Sequence, residues 1–169
     1  MRYKILSLFA AVAFLSACAE TASTVGGKSG GSGKSAQSQP ASSSSVAIIP
    51  GSQEDLVVSV GDSIYFDFNK FSLRSDARDV LERQAAWLKA NASVTFTVEG
   101  HCDERGTREF NLALGERRAN SVKDYLVTLG INPVRIKTIS YGKERPVAMG
   151  SNNAAWAQNR RGVTRVTGG

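Results

Sequence analysis

The chain has 169 residues, two cysteines, one histidine and a formal charge of +6. That length allows one ordinary domain with tails, and a single His beside so few thiols excludes a convincing metal centre. A basic balance invites thoughts of nucleic acid, but a charge this small identifies no partner.

The first residues read as a leader rather than as fold. Arg2 and Lys4 form a basic start, an apolar run of about 11 residues follows, and Leu15-Ser16-Ala17 precedes Cys18. A helix needs about 20 apolar residues to span a bilayer, so the run predicts export and not a transmembrane anchor. Leu15-Ser16-Ala17-Cys18 resembles the lipobox of bacterial lipoproteins, whose cysteine is acylated and becomes the first residue after cleavage. An ordinary signal peptide with a chance cysteine is the alternative. Ala19 after the cysteine favours the outer membrane, by analogy with Gram-negative lipoproteins. Removal of residues 1–17 takes away two bases and no acid, lowering +6 to +4. An exported chain rarely meets nucleic acid, so anionic cell-wall polymer or lipid headgroups are the better counterparts. With Cys18 acylated, Cys102 has no intramolecular partner and no disulfide framework forms.

Residues 19–50 are mostly Ser, Gly, Ala, Lys and Gln, with almost no large apolar side chain before Val46. Such a segment buries too little surface to offset its ordering entropy. It reads as a flexible tether. From Ala19 to Asp55 its coil dimension is about 33 Å and its full extension on the order of 120 Å. The expected organisation is a signal peptide over 1–17, a lipidated N-terminus and tether over 18–55, and a folded head over 56–169.

In the head, Val57, Val58 and Val60 predict a short strand, Gly61-Asp62 a two-residue turn, and residues 63–68 a second strand, a hairpin pattern. Ser75 is the expected N-cap of a helix carrying Ala77, Val80, Leu81, Ala85 and Leu88 on one stripe. Residues 94–103 alternate as a strand. Val94, Phe96, Val98, Gly100 and Cys102 point one way, and Thr95, Thr97, Glu99, His101 and Asp103 the other. After the polar loop 104–107 comes a long helix with Leu112, Gly115, Ala119, Val122, Leu126 and Leu129 at spacings of three and four, stopped by Gly130. A strand over 136–141, a short helix over 153–159 and a strand over 162–167 complete the chain. The order hairpin-α-β-α-β-α-β predicts an α+β fold, a two-layer α/β sandwich with a mixed sheet and helices on one face. The crossover rule makes the strands flanking each long helix parallel neighbours.

Catalysis finds little support. His101, Cys102 and Asp103 are adjacent, but adjacent strand residues face opposite ways, so His101 is badly placed to act as base for Cys102. No nucleophile elbow, metal motif or phosphate loop appears, so no catalytic residue and no cofactor is expected. Cys102 shares a face with Phe96 and Val98 and reads as a packed core thiol. Asn111 and Arg118 lie within about 20° of each other at the border of the helix's apolar stripe, whereas Arg117 faces solvent. Asp103 and Arg118 therefore converge either on a zwitterionic ligand, gripping its ammonium and carboxylate, or on each other as a structural pair.

The segments EGHCDERGTREFNLALGERRANSVKDYL, IYFDFNKFSLRSD, ISYGKERP and QNRRGV together resemble the outer-membrane-protein-A-like cell-wall-binding domains. Leu114-Gly115-Glu116-Arg117-Arg118-Ala119 favours the branch of lipoproteins belonging to the Tol-Pal system, and the resemblance covers about residues 57–167. It implies non-covalent binding of the diaminopimelate part of the peptidoglycan stem peptide by Asp103 and Arg118. Phe66 and Asp67 come from a segment that lines the same pocket in the family, and Asn111 and Leu114 match positions beside it. Arg160 and Arg161 match the family's Asn-Arg-Arg. The resemblance further implies an outer-membrane lipoprotein with a periplasmic head, contact with TolB, and a part in envelope integrity and constriction at division. Cys102 departs from the Ala or Thr usual there. The rival expectation is a protein-interaction lipoprotein with a structural Asp103-Arg118 pair and no direct contact with the cell wall.

Overall fold

A computed structural model describes residues 47–169. Cys18, the leader and most of the tether lie outside the described residues.

The described chain begins with a helix, α1 (Gln53–Ser59), where a strand was expected. Ser52 Oγ accepts from the Asp55 N–H at 3.1 Å, and Glu54 and Asp55 suit the positive end of the helix. Leu56 is buried and Val60 packs partly buried against the core, four residues on, while Val57 and Val58 face solvent. The apolar run therefore follows a helical period, and the hairpin does not form. The expected boundary between tether and head, after residue 55, falls inside this helix.

β1 (Ser63–Tyr65) pairs antiparallel with the last strand, β4 (Arg161–Gly168), with Ile64 opposite Gly162. Beyond the reach of β1 the side chain of Gln53 continues the pairing, accepting from Val166 N at 2.8 Å and donating to Thr164 O at 3.3 Å. α2 (Ser75–Ala90) starts one residue earlier than expected. Arg74 is its N-cap and forks onto Asp76 at 2.9–3.0 Å, while Ser75 is already helical.

β2 (Thr95–His101) then leads into α3 (Arg108–Thr128), which Thr107 caps by accepting from Phe110 N at 3.2 Å. Gly130, at φ +89°, lets Ile131 N return to Leu126 O at 3.1 Å, and this ends the helix. A 3₁₀ turn (Pro133–Arg135) precedes β3 (Ile136–Gly142), and α4 (Asn153–Asn159) precedes β4.

The sheet order is β1-β4-β2-β3, with β2 and β3 parallel and both partners of β4 antiparallel to it. The fold is the expected α+β sandwich. β2 and β3, which flank α3, are parallel neighbours as predicted. β1 and β2 run the same way but are not neighbours, because β4 lies between them. The crossover rule fixes the hand of a connection and leaves room for a later strand to insert.

Phe96 and Val98 from β2 meet Leu81, Leu88, Ala119, Val122 and Leu126 of the two long helices in one core. Of the predicted stripe on α3, Leu112 is exposed, and its place is taken by Leu114 and Arg118, both buried. Gly100 and Gly115 explain how α3 approaches the end of β2. A Cβ on Gly100 would lie 1.8 Å from the Gly115 carbonyl oxygen, so helix and strand backbones touch at this point.

Candidate functional site

The glycine contact sets the next helical turn of α3 beneath the end of β2, and there Arg118 is fully buried. Its Nη1 donates to His101 O at 2.7 Å, Nε to Lys70 O at 2.9 Å and Nη2 to Asp67 O at 3.1 Å. Phe66 lies below, its ring centroid 5.0 Å from the guanidinium carbon. Three of the five guanidinium N–H groups are thus spent on carbonyls, leaving one on each of Nη1 and Nη2. Burial draws the Arg118 pKa down from the ordinary arginine value, against the pull of Cys102 and Asp103. Arg117, the next residue, is exposed, as the helical phase predicts.

Strict alternation would turn Asp103 away from the helices. The strand ends at His101, however, and its register with β3 shifts between Gly100 and His101. Asp103 and Cys102 consequently line the same small pocket, together with Arg118, Asn111 and Leu114. Asp103 does not pair with Arg118. Its carboxylate accepts from the backbone N and Nε of Arg105, both at 3.1 Å, and forms ion pairs with Arg105 Nη2 and, at 3.4 Å, with Arg160 Nη1. Burial alone would raise the Asp103 pKa. The hydrogen bonds from Arg105, with a further one from Arg160, outweigh it and hold the carboxyl below its usual range.

The remaining candidates divide by role. Asn111 Nδ2 donates to Arg105 O at 2.8 Å and Thr107 O at 3.0 Å, stapling the loop to the helix. Leu114 supplies an apolar wall. Phe66 is a core residue beneath the site, and the Asp67 carboxylate points to solvent beside Arg74, so only the Asp67 carbonyl reaches Arg118. Arg160 reaches the site through Asp103 and ties Phe66 O at 3.0 Å, whereas Arg161 bonds Arg145 O at 3.3 Å. The Cys102 thiol donates to Asn111 O at 3.3 Å, and burial, chiefly, pushes its pKa up to about 11. It is a protonated packing group, not a nucleophile. His101 faces the other way, its ring 5.5 Å from that of Tyr141.

Sequence reading missed Arg105, Phe68 and Trp156. The Arg105 guanidinium carbon sits 4.0 Å from the Phe68 ring centroid and 4.1 Å from that of Trp156, directly over the carboxylate it pairs with. The spacing Asp103-x-Arg105 is the turn in which an Asp side chain caps a backbone N–H two residues on, and that signal was available. The aromatic partners arrive from segments 37 residues before and 51 residues after Arg105, which no local pattern joins.

Chemically, the pocket offers a buried guanidinium with two spare donors beside an ionised carboxylate whose partner, Arg105, lies on two aromatic faces. Such a site suits a ligand with adjoining carboxylate and ammonium groups.

Residues 65–160 match the model of the OmpA family. The chain is 56% identical over 120 residues to a peptidoglycan-associated lipoprotein of Agrobacterium fabrum, covering 71% of this chain and 67% of that protein. It is 40% identical over 154 residues to the Pseudomonas putida protein of the same name, covering 90% of this chain and 92% of the relative. The crystal structure of the peptidoglycan-associated lipoprotein from Burkholderia pseudomallei superposes with a TM-score of 0.61 at 40% identity, over 63% of this chain and 90% of that one. The chain belongs to the OmpA family and, within it, to the peptidoglycan-associated lipoproteins.

Proposed function

We propose that this protein is a lipid-anchored outer-membrane protein whose periplasmic head holds peptidoglycan without a covalent bond. Cys18 carries the lipid, the segment from residue 18 up to the start of α1 forms the tether, and the head, α1 included, grips the free end of diaminopimelate in the stem peptide. Asp103 accepts from the ligand's ammonium, and the two spare donors of Arg118 meet its carboxylate in a charge-assisted, forked bond. Asn111 fixes the loop that carries Asp103, Leu114 lines the wall, and Phe66 and the Asp67 carbonyl hold Arg118 in place. As an OmpA-family binding domain it is not an enzyme. Within the Tol-Pal system it contacts TolB and contributes to envelope integrity and to constriction at division.

One observation carries this reading. A buried base and a buried acid line one pocket without neutralising each other, the base held on carbonyls and the acid on other arginines. The rival, a protein-interaction lipoprotein, needs Asp103 and Arg118 to be each other's partner.

The test is sedimentation of the purified protein with protein-free sacculi. Wild type is expected in the pellet and free diaminopimelate-containing muropeptide to release it, with Asp103→Ala remaining in the supernatant. Retention of Asp103→Ala equal to wild type, or no retention of either, overturns the reading.

A further inference from the structure

The site as folded is narrow. Its open volume is about 20 Å³, room for roughly one water, and Arg118 at its floor has no exposure at all. A zwitterionic end group does not enter such a space until something moves. The backbone around it is pinned. Asn111 holds Arg105 O and Thr107 O, and from outside Lys143 Nζ donates to Glu104 O at 3.1 Å and Gly106 O at 2.8 Å. Trp156 is pinned as well, its Nε1 donating to Glu104 Oε1 at 2.9 Å. Of the two arginines on the carboxylate, Arg105 has the freer path outward, its side chain 32% exposed against 17% for Arg160, which is also tied to Phe66 O.

Arg105 also occupies its position in a telling way. A cation lies between two aromatic faces with a carboxylate against it, the arrangement by which proteins recognise ammonium ligands. We propose that Arg105 is an internal competitor of the ligand: its guanidinium fills the cage of Phe68, Trp156 and Asp103 that the ligand's ammonium takes over, and it swings to solvent as the ligand enters. The inference rests on the reading of the site given above and adds a selectivity rule to it. A carboxylate alone does not displace Arg105, because the vacated Asp103 would then stand beside a second anion. A group bringing its own cation exchanges one ion pair for another and exposes the spare donors of Arg118. Arg105 thus favours ligands carrying both charges.

The experiment is calorimetric titration of the detergent-solubilised mature protein with two peptides. One ends in diaminopimelate with its side-chain ammonium free, and the other is the matched pimelate lacking that amino group. Arg105→Ala and Arg105→Gln are compared with wild type, with thermal unfolding confirming the fold. Losing a competitor whose ion pair and aromatic contacts are each modest is expected to tighten the ammonium-bearing peptide by about three- to ten-fold in both variants, with no gain for the other peptide. Weaker or unchanged binding makes Arg105 a ligand contact or a bystander and overturns the proposal. Equal gains with both peptides make it a steric plug and overturn the exchange of cations. Wild type binding neither peptide overturns the underlying reading of the site, an outcome separate from the other two.

Discussion

Arg118 is expected to be as important to folding as to recognition, and its neighbour to neither. Arg118→Ala removes three hydrogen bonds from a fully buried cation. Bonds to charged groups are worth about 1.5–3 kcal/mol each, but the three losses do not add. Asp67 and Lys70 lie in an exposed stretch, so their carbonyls regain water when the guanidinium goes. His101 O, whose bond to Arg118 is buried, does not, and an orphaned buried carbonyl costs about 1–3 kcal/mol. With the void left beside Phe66, the net loss comes to roughly 3–5 kcal/mol, much of a small domain's stability. Arg118→Lys keeps a charge and reaches one carbonyl, not three, so about 1–3 kcal/mol is expected. Arg117→Ala, on the exposed side, should stay within about 0.5 kcal/mol of wild type. Urea unfolding followed by far-UV circular dichroism gives all three from midpoints at constant slope. If Arg118→Ala unfolds at the same midpoint as Arg117→Ala, the carbonyl bonds contribute nothing and the account of the site's construction fails.

Two further outcomes follow from the titratable groups around the site. His101 is buried beside Arg161 and Arg145, and burial chiefly, then those charges, lower its pKa from 6.5 to about 4. Because the unfolded chain takes up this proton first, stability should be complete above pH 6.5 and fall as pH drops towards 4. The slope is at most about 1.4 kcal/mol per pH unit and the total roughly 3 kcal/mol, and His101→Gln should flatten that window in urea midpoints. An identical slope in the variant would falsify the assignment. For Cys102, buried with its pKa pushed up to about 11, native-state labelling by maleimide should be slow and speed up on unfolding. Cys102→Ala should keep cell-wall binding at a cost on the order of 1 kcal/mol, and rapid labelling of the folded protein would count against the packed-thiol reading.

The long-period signals were legible because one interaction decides each of them. The stripe Gly115, Ala119, Val122, Leu126 is a helical period over three turns, and Phe96 with Val98 is a strand period with both side chains in the core. Residues 56–60 were misread because three valines outweighed a cap that begins at Ser52, outside the apolar run. The position of β4 could not be read locally, since strand order is set by contacts between segments roughly 60–100 residues apart. At the site the helical phase separated Arg118 from Arg117, whereas the facing of Asp103 did not follow from alternation. A register shift at the strand end turns it inward, and no residue type marks that shift. The turn spacing Asp103-x-Arg105 is local, but the cage around Arg105 is as non-local as the place of β4. The meaning of Arg105 lies in Phe68 and Trp156, distant in sequence and brought together only by the fold.

The construction of the site explains why its acid and base coexist unpaired. A guanidinium buried at this depth would ordinarily be expected to take the nearest carboxylate, because desolvating a cation without a counter-ion is costly. Here the contact between Gly100 and Gly115 presses α3 onto β2 until the His101 carbonyl meets Arg118, while residues 67–70 supply two more carbonyls. Asn69, at φ +55°, bends that segment over the arginine. Carbonyl dipoles thus hold the cation in place of an anion, and the Asp103 charge is left to Arg105 and Arg160. On the proposed reading, the incoming ligand supplies the anion that Arg118 lacks and the cation that replaces Arg105 on Asp103. Both charges of the site then become compensated by one molecule, and the Arg105 side chain returns to water, where its hydration is recovered. Recognition of a zwitterion by this route requires only one side chain to move, because the backbone on either side of it is already fixed by Asn111 and Lys143.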